Sequence, residues 1–171
     1  SPLNWVLGAM RYSDAGVTKI CNAKKADQIH KIFQAAYRVE AELIGVETFP
    51  PLDRTKTEVR ASMNDFYSIA DAGDLMGIME IEEPFGSNKT STIASLAVSP
   101  SYSRKGIGQS LIKFAIEQNS SLIVTTAEKN IPAIKLYEKM GFVLSRQFLA
   151  PGNISIVEFR YDPSGRHLTC S

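Results

Sequence analysis

Ser91 to Asn119 reads STIASLAVSPSYSRKGIGQSLIKFAIEQN. Ile93–Ser99 is apolar and partly β-branched, and its length suits a strand. Pro100–Lys105 is a polar turn ending on two cations, Arg104 and Lys105. Beyond Gly106, the residues Gly108, Leu111, Ile112, Ala115 and Ile116 fall on one face at helical spacing. Strand, glycine loop and helix N-terminus in this order make an anion site. The first amides of a helix lack internal partners and carry the positive end of its dipole. Glycine lets an oxygen-rich ligand approach that backbone. The glycine pair also fits a plain tight turn before a helix. The Walker pattern fails, because Lys105 precedes the glycine and Gln109 follows Gly108. The dinucleotide fingerprint fails as well, because Leu111 stands where the third glycine belongs.

On either side the chain alternates strands and helices. Val17–Asn22 reads as a strand, and a helix follows from Ala26-Asp27 to a stop at Gly45. The prolines make Glu47–Pro51 non-helical, and Asp53–Met63 reads as a second short helix. Phe66–Ala70 and Leu75–Glu82 are two strands joined by the hairpin signal Asp71–Asp74. Alternation in the second is broken around Gly77, which leaves the facing of Glu80 and Glu82 open. Ser121–Ala127 is a short strand, and Asn130–Met140 is a helix that Gly141 stops. Phe142–Leu149 and Ile154–Tyr161 are strands split by Pro151-Gly152-Asn153. The order β-α-α-β-β-β-α-β-α-β-β argues for an α/β (α+β) fold, a mixed sheet with helices on both faces. Residues 16–162 form one expected domain, 163–171 a tail and 1–15 an N-terminal extension, of which 1–9 read as a cloning remnant ahead of Met10.

Bulk properties exclude some classes. The 171 residues suffice for a core without a disulfide or metal staple. With 19 basic and 18 acidic residues interspersed, no basic face for nucleic acid is expected. Cys21 and Cys170 match no metal-ligand spacing, so no metal is expected, and two lone thiols fit a reducing, cytoplasmic compartment. No apolar run reaches the ~18 residues of a membrane helix, so no membrane partner is expected.

A second motif lies further on: Asn130-Ile131-Pro132-Ala133-Ile134-Lys135-Leu136-Tyr137-Glu138-Lys139-Met140-Gly141-Phe142. It resembles the signature Asn-x-x-Ala-x-x-x-Tyr-x-x-x-Gly-Phe of the GNAT superfamily of acyl-CoA-dependent N-acyltransferases. The loop Ser103–Gly108 resembles that superfamily's Gln/Arg-x-x-Gly-x-Gly/Ala pyrophosphate loop, with Ser103 in place of Gln or Arg. From the residues alone, Tyr137 fits a core position and Asn130 a helix cap.

The resemblance implies a mostly antiparallel sheet of about seven strands flanked by about four helices. It implies acetyl-CoA as cofactor and a small-molecule amine or peptide amino group as acceptor. The backbone of Leu96, Ala97 and Val98 would meet the pantetheine arm and acetyl carbonyl. Ser103, Arg104, Lys105, Gly106, Ile107, Gly108, Gln109 and Ser110 would hold the pyrophosphate. Asn130 and Ala133 would meet the pantetheine, and Tyr137 would protonate the leaving thiolate. Many relatives carry a glutamate where Thr92 stands here. Glu80 is therefore the expected base, with Glu82, Glu40, Glu42 and Glu128 as alternatives. The acceptor region would span 36–55, with Glu40, Glu42 and Phe49 as contacts. The assembly would be a monomer or homodimer, and a catalytically idle acyl-CoA-binding domain is the alternative reading.

Overall fold

A computed structural model describes residues 16–164. Seven strands form one sheet: β1 (Val17–Ile20), β2 (Asp65–Asp71), β3 (Asp74–Glu82), β4 (Thr90–Val98), β5 (Ser121–Ala127), β6 (Val143–Ala150) and β7 (Ile154–Tyr161). Their spatial order is β1-β2-β3-β4-β5-β7-β6. Among the described residues, only β4 and β5 pair in parallel. The helices are α1 (Asn22–Ile44), α2 (Pro50–Asp53), α3 (Lys56–Ala61), α4 (Ile107–Gln118) and α5 (Ile131–Lys139). The N-terminal extension and residues 165–171 of the tail lie outside the described residues.

Three boundaries differ from the sequence reading. Strand β1 ends at Ile20, and Asn22 opens α1 instead of closing the strand. Its side-chain amide donates to the carbonyls of Val59 at 2.8 Å and Ser62 at 3.0 Å, tying the start of α1 to the end of α3. Pro50 and Pro51 begin α2, since proline is tolerated in the first helical turn, where an amide would lack a partner anyway. The expected second helix is therefore two pieces with Arg54 extended between them. Thr55 and Glu58 restart the chain as α3 through a capping box.

The sheet buries both faces. Phe66, Ile78 and Ala97 pack against Ala26, Ile29 and Phe33 of α1 and Val59 of α3. Ile69, Met79, Ile81 and Ile93 pack on the other face against Ile107, Leu111, Ile112 and Ala115 of α4. Two bulges set which side chain faces where. The β2–β3 register shifts beyond Ile69/Gly77, so Met76 has no partner. The β3–β4 register jumps from Glu80/Ser95 to Ile81/Ile93, so Ala94 is the extra residue. A bulge flips the alternation beyond it. It turns Ser95 to the α1 face, where its partner Glu80 also points.

Candidate active site

Strands β4 and β5 pair only from Thr90/Ser121 to Ile93/Val124. Strand β5 then stays with β7 as far as Ala127, and β4 stays with β3 as far as Val98. The sheet thus opens into a V between residues 94–98 and 125–127. A cleft of about 600 Å³ fills it.

The N-terminus of α4 forms one end of this cleft. Arg104 and Gly106 both have left-handed backbones, φ 61° and 77°. The first bond within the helix runs from the Ser110 amide to the Gly106 carbonyl at 3.0 Å, and no side chain caps the turn. The amides of Ile107, Gly108 and Gln109 are those a bound anion would satisfy. Arg104, Gly106, Gly108 and Gln109 line the cleft. A Cβ on Gly108 would lie 3.1 Å from Leu136 Cδ2 and 3.7 Å from Val98 Cγ2. The chain is pinched there between α4, α5 and β4. This cradle fits the diphosphate of a CoA-type ligand.

One flank comes from α5. The Asn130 side chain accepts from the Ala133 amide at 3.3 Å and caps the helix, and Asn130, Ala133 and Tyr137 line the cleft. Tyr137 is 4% exposed, and its ring lies 5.8 Å from that of Phe142 and 6.1 Å from that of Phe159. Core ring and cleft-lining residue are here one side chain. Burial, then Tyr37 and the charge of Glu40, push its pKa above the ordinary phenol value.

The opposite flank is α1. Tyr37 and Glu40 line the cleft together with Phe49. The Glu40 Oε1 accepts from Thr126 Oγ1 of β5 at 3.2 Å. Tyr37 is pushed up to about 12, by burial first and then by Glu40 and Glu80, against a smaller lowering by Ser95. Ser95 Oγ donates to Glu80 Oε1 at 2.9 Å.

Glu80 is 1% exposed and fully engaged. Arg54 grips both its oxygens, at 2.6 Å and 3.0 Å. Ser62 Oγ and Asn64 Nδ2 donate to Oε2, each at 3.0 Å. Burial alone would raise its pKa, but the Arg54 pair, with Asn64 and Ser95, overrides burial and holds it below the usual carboxylate range. Glu80 does not line the cleft. It lines a neighbouring cavity, also about 600 Å³, which shares Tyr37, Pro50, Pro51, Ala94 and Ser95 with the cleft.

The family model described as "Acetyltransferase (GNAT) family" matches residues 26–142. The chain belongs to the GNAT acetyltransferase family. Among curated relatives, UPF0157 protein YqkA of Bacillus subtilis is 33% identical over 131 residues, 75% of this chain and 37% of that protein. Peptidyl-lysine N-acetyltransferase YiaC of Escherichia coli is 31% identical over 70 residues, 41% of this chain and 44% of that one. The chain thus spans less than half the length of either relative. The solved structure of yncA, a putative acetyltransferase from Salmonella typhimurium with its cofactor acetyl-CoA, superposes with a TM-score of 0.66 at 14% identity, over 88% of this chain and 94% of that one.

Within this GNAT domain, Leu96, Val98, Ser103, Ile107 and the residues named above converge on the cleft. Others do not. Ala97 packs on the α1 side of the sheet, and Ser110 is buried within α4. Lys105 is exposed, 5.4 Å over the Tyr102 ring. Glu42, Glu82 and Glu128 are exposed and line neither cavity. Tyr37, Ser95, Thr126 and Arg54 were missed from sequence. Tyr37 follows Phe33 by four residues on the inward stripe of α1, and that spacing was the available signal. Arg54 and Ser95 gave none, because their roles depend on a break between two helices and on a bulge.

Proposed function

We propose that this GNAT domain binds acetyl-CoA in the V between β4 and β5 and moves the acetyl group to a primary amine. The observation that carries this is the pairing of two features in one cleft: uncapped amides at the start of α4, and the Tyr137 phenol on its α5 flank. When bound, acetyl-CoA supplies an electrophilic thioester carbon. The amides of Ile107, Gly108 and Gln109, with Arg104, hold its diphosphate. The free edge of β4 at Leu96–Val98 orients the pantetheine and offers a backbone donor to the carbonyl oxygen. Tyr137 keeps its proton at neutral pH and gives it to the departing sulfur. The acceptor enters through the neighbouring cavity beside Pro50, Pro51 and Ser95. It is a small amine or the amino group of a peptide.

A panel of primary amines and lysine peptides, assayed with acetyl-CoA for release of free CoA thiol, tests the reading. Turnover of at least one acceptor is expected. CoA, and not ATP, should raise the melting temperature. Stabilisation by CoA with no turnover on any amine would favour an idle acyl-CoA-binding domain instead.

A further inference from the structure

We infer that Glu40 is the catalytic base, taking the proton of the incoming ammonium on the α1 flank of the V, opposite the acid Tyr137. This rests on the acetyl-transfer reading above.

Helix α1 buries a stripe that includes Ile29, Phe33, Ala41 and Ile44. Tyr37 and Glu40 continue that stripe toward the cleft, four and seven residues after Phe33. A carboxylate on an inward stripe costs desolvation unless it is paired. Glu40 has no ion pair among the described residues, and one oxygen accepts only the Thr126 hydroxyl. That bond spans the cleft from α1 to the part of β5 that has left β4. Glu40 is the one carboxylate among the described residues lining the cleft. Tyr37 and Tyr137 line the same cleft, and the charge of Glu40 acts on both phenols. Glu80, by contrast, accepts five hydrogen bonds, and a carboxylate offers about four lone-pair sites. It has no room for a further proton donor.

The step balances. One proton of the ammonium passes to Glu40, and later to water. The freed nitrogen lone pair forms the C–N bond to the thioester carbon, and the C–S bond breaks. The sulfur takes the proton of Tyr137, and the second nitrogen proton restores the phenol. The products are an amide, CoA thiol and one released proton.

The test compares wild type with Glu40→Gln, and with Glu117→Gln on the exposed side of α4 as control. The acceptor is the best alkylamine of the panel, assayed at pH 7, 8 and 9. The phenols that Glu40 acts on are Tyr37 of α1 and Tyr137 of α5; Tyr102, Arg104 and Lys139 are the other charged and titratable residues of the cleft lining, and the Arg54–Glu80 pair lies behind Ser95. Both phenols stay protonated over that range. Glu40→Gln should lose ~10²-fold in kcat/KM at pH 7. It should then recover about tenfold per pH unit, as the neutral fraction of an alkylamine does. Its melting-temperature gain on acetyl-CoA should equal that of wild type. The proposal is overturned if Glu40→Gln stays within threefold of wild type, if its deficit is the same at pH 9 as at pH 7, or if it loses the acetyl-CoA shift. No turnover by wild type on any amine would instead overturn the acetyl-transfer reading, and the base with it.

Discussion

Tyr137 packs between Phe142 and Phe159 and still borders the cleft, and the same burial that makes it core keeps its proton on. Tyr137→Phe removes the proton and keeps the ring. We expect kcat to fall ~10²-fold while CoA binding and melting temperature hold, and a loss under twofold would remove the acid role. The Arg54–Glu80 pair belongs to stability. Replacing Arg54 by Met strands a buried carboxylate, and we expect a loss of about 3 kcal/mol in urea unfolding. Glu80 also fixes an acid limit. Its folded pKa lies below its unfolded one, so its contribution is complete above the ordinary glutamate value near ~4.3 and is lost as pH falls through the folded pKa. Glu80→Gln should flatten that part of the acid-unfolding profile below pH ~4. Sequence named Tyr137 and Glu80, missed Arg54, and left the facing of Glu80 open. Its facing depends on bulges at Met76 and Ala94, and a bulge leaves no mark in residue types when its extra residue is an alanine or a methionine.

At the scale of elements, the α4 N-terminus works because two glycines clear space for it. Gly77 of β3 lets α4 lie close to the sheet: a Cβ there would come 2.6 Å from Ile107 Cγ2 and 3.2 Å from Leu111 Cδ1. Gly108 sits where α4, α5 and β4 converge. Gly108→Glu would put bulk and negative charge beside the proposed diphosphate position. We expect the fold to survive by circular dichroism and the CoA-induced melting shift to vanish; a wild-type shift would refute the anion cradle. The loop and helix were legible because glycine, cation and apolar spacing each carry a local signal. The break between α2 and α3 was not. Its prolines signal non-helix from inside a helix and helix from the first turn, and only the position of the N-cap decides between them.

For the whole molecule, the order of strands was legible and the opening between two of them was not encoded in any one segment. Both motifs lie on chain that flanks the V, yet the V exists because β5 keeps β7 while β4 keeps β3. Strand pairing beyond a hairpin depends on elements far apart in sequence, and β7 starts at Ile154, well beyond the end of β5 at Ala127, with α5 and β6 between them. An open seam in a sheet leaves backbone groups on the β4 edge without strand partners. A ligand that bonds them acts as a surrogate strand, and its effect should be read in exchange as well as in melting. At a concentration 100 times its Kd, CoA should stabilise by about 2.7 kcal/mol, or ~5–10 °C for a chain of this size. Amide exchange should slow at Leu96–Val98 and Ile107–Gln109, which border the cleft. It should not change at Val143 and Leu144, exposed at the start of β6 on the far edge of the sheet. Uniform slowing everywhere would mean that CoA stabilises the fold without entering the seam. Slowing confined to Ile107–Gln109 would mean that only the diphosphate is held, leaving the thioester without a strand to orient it.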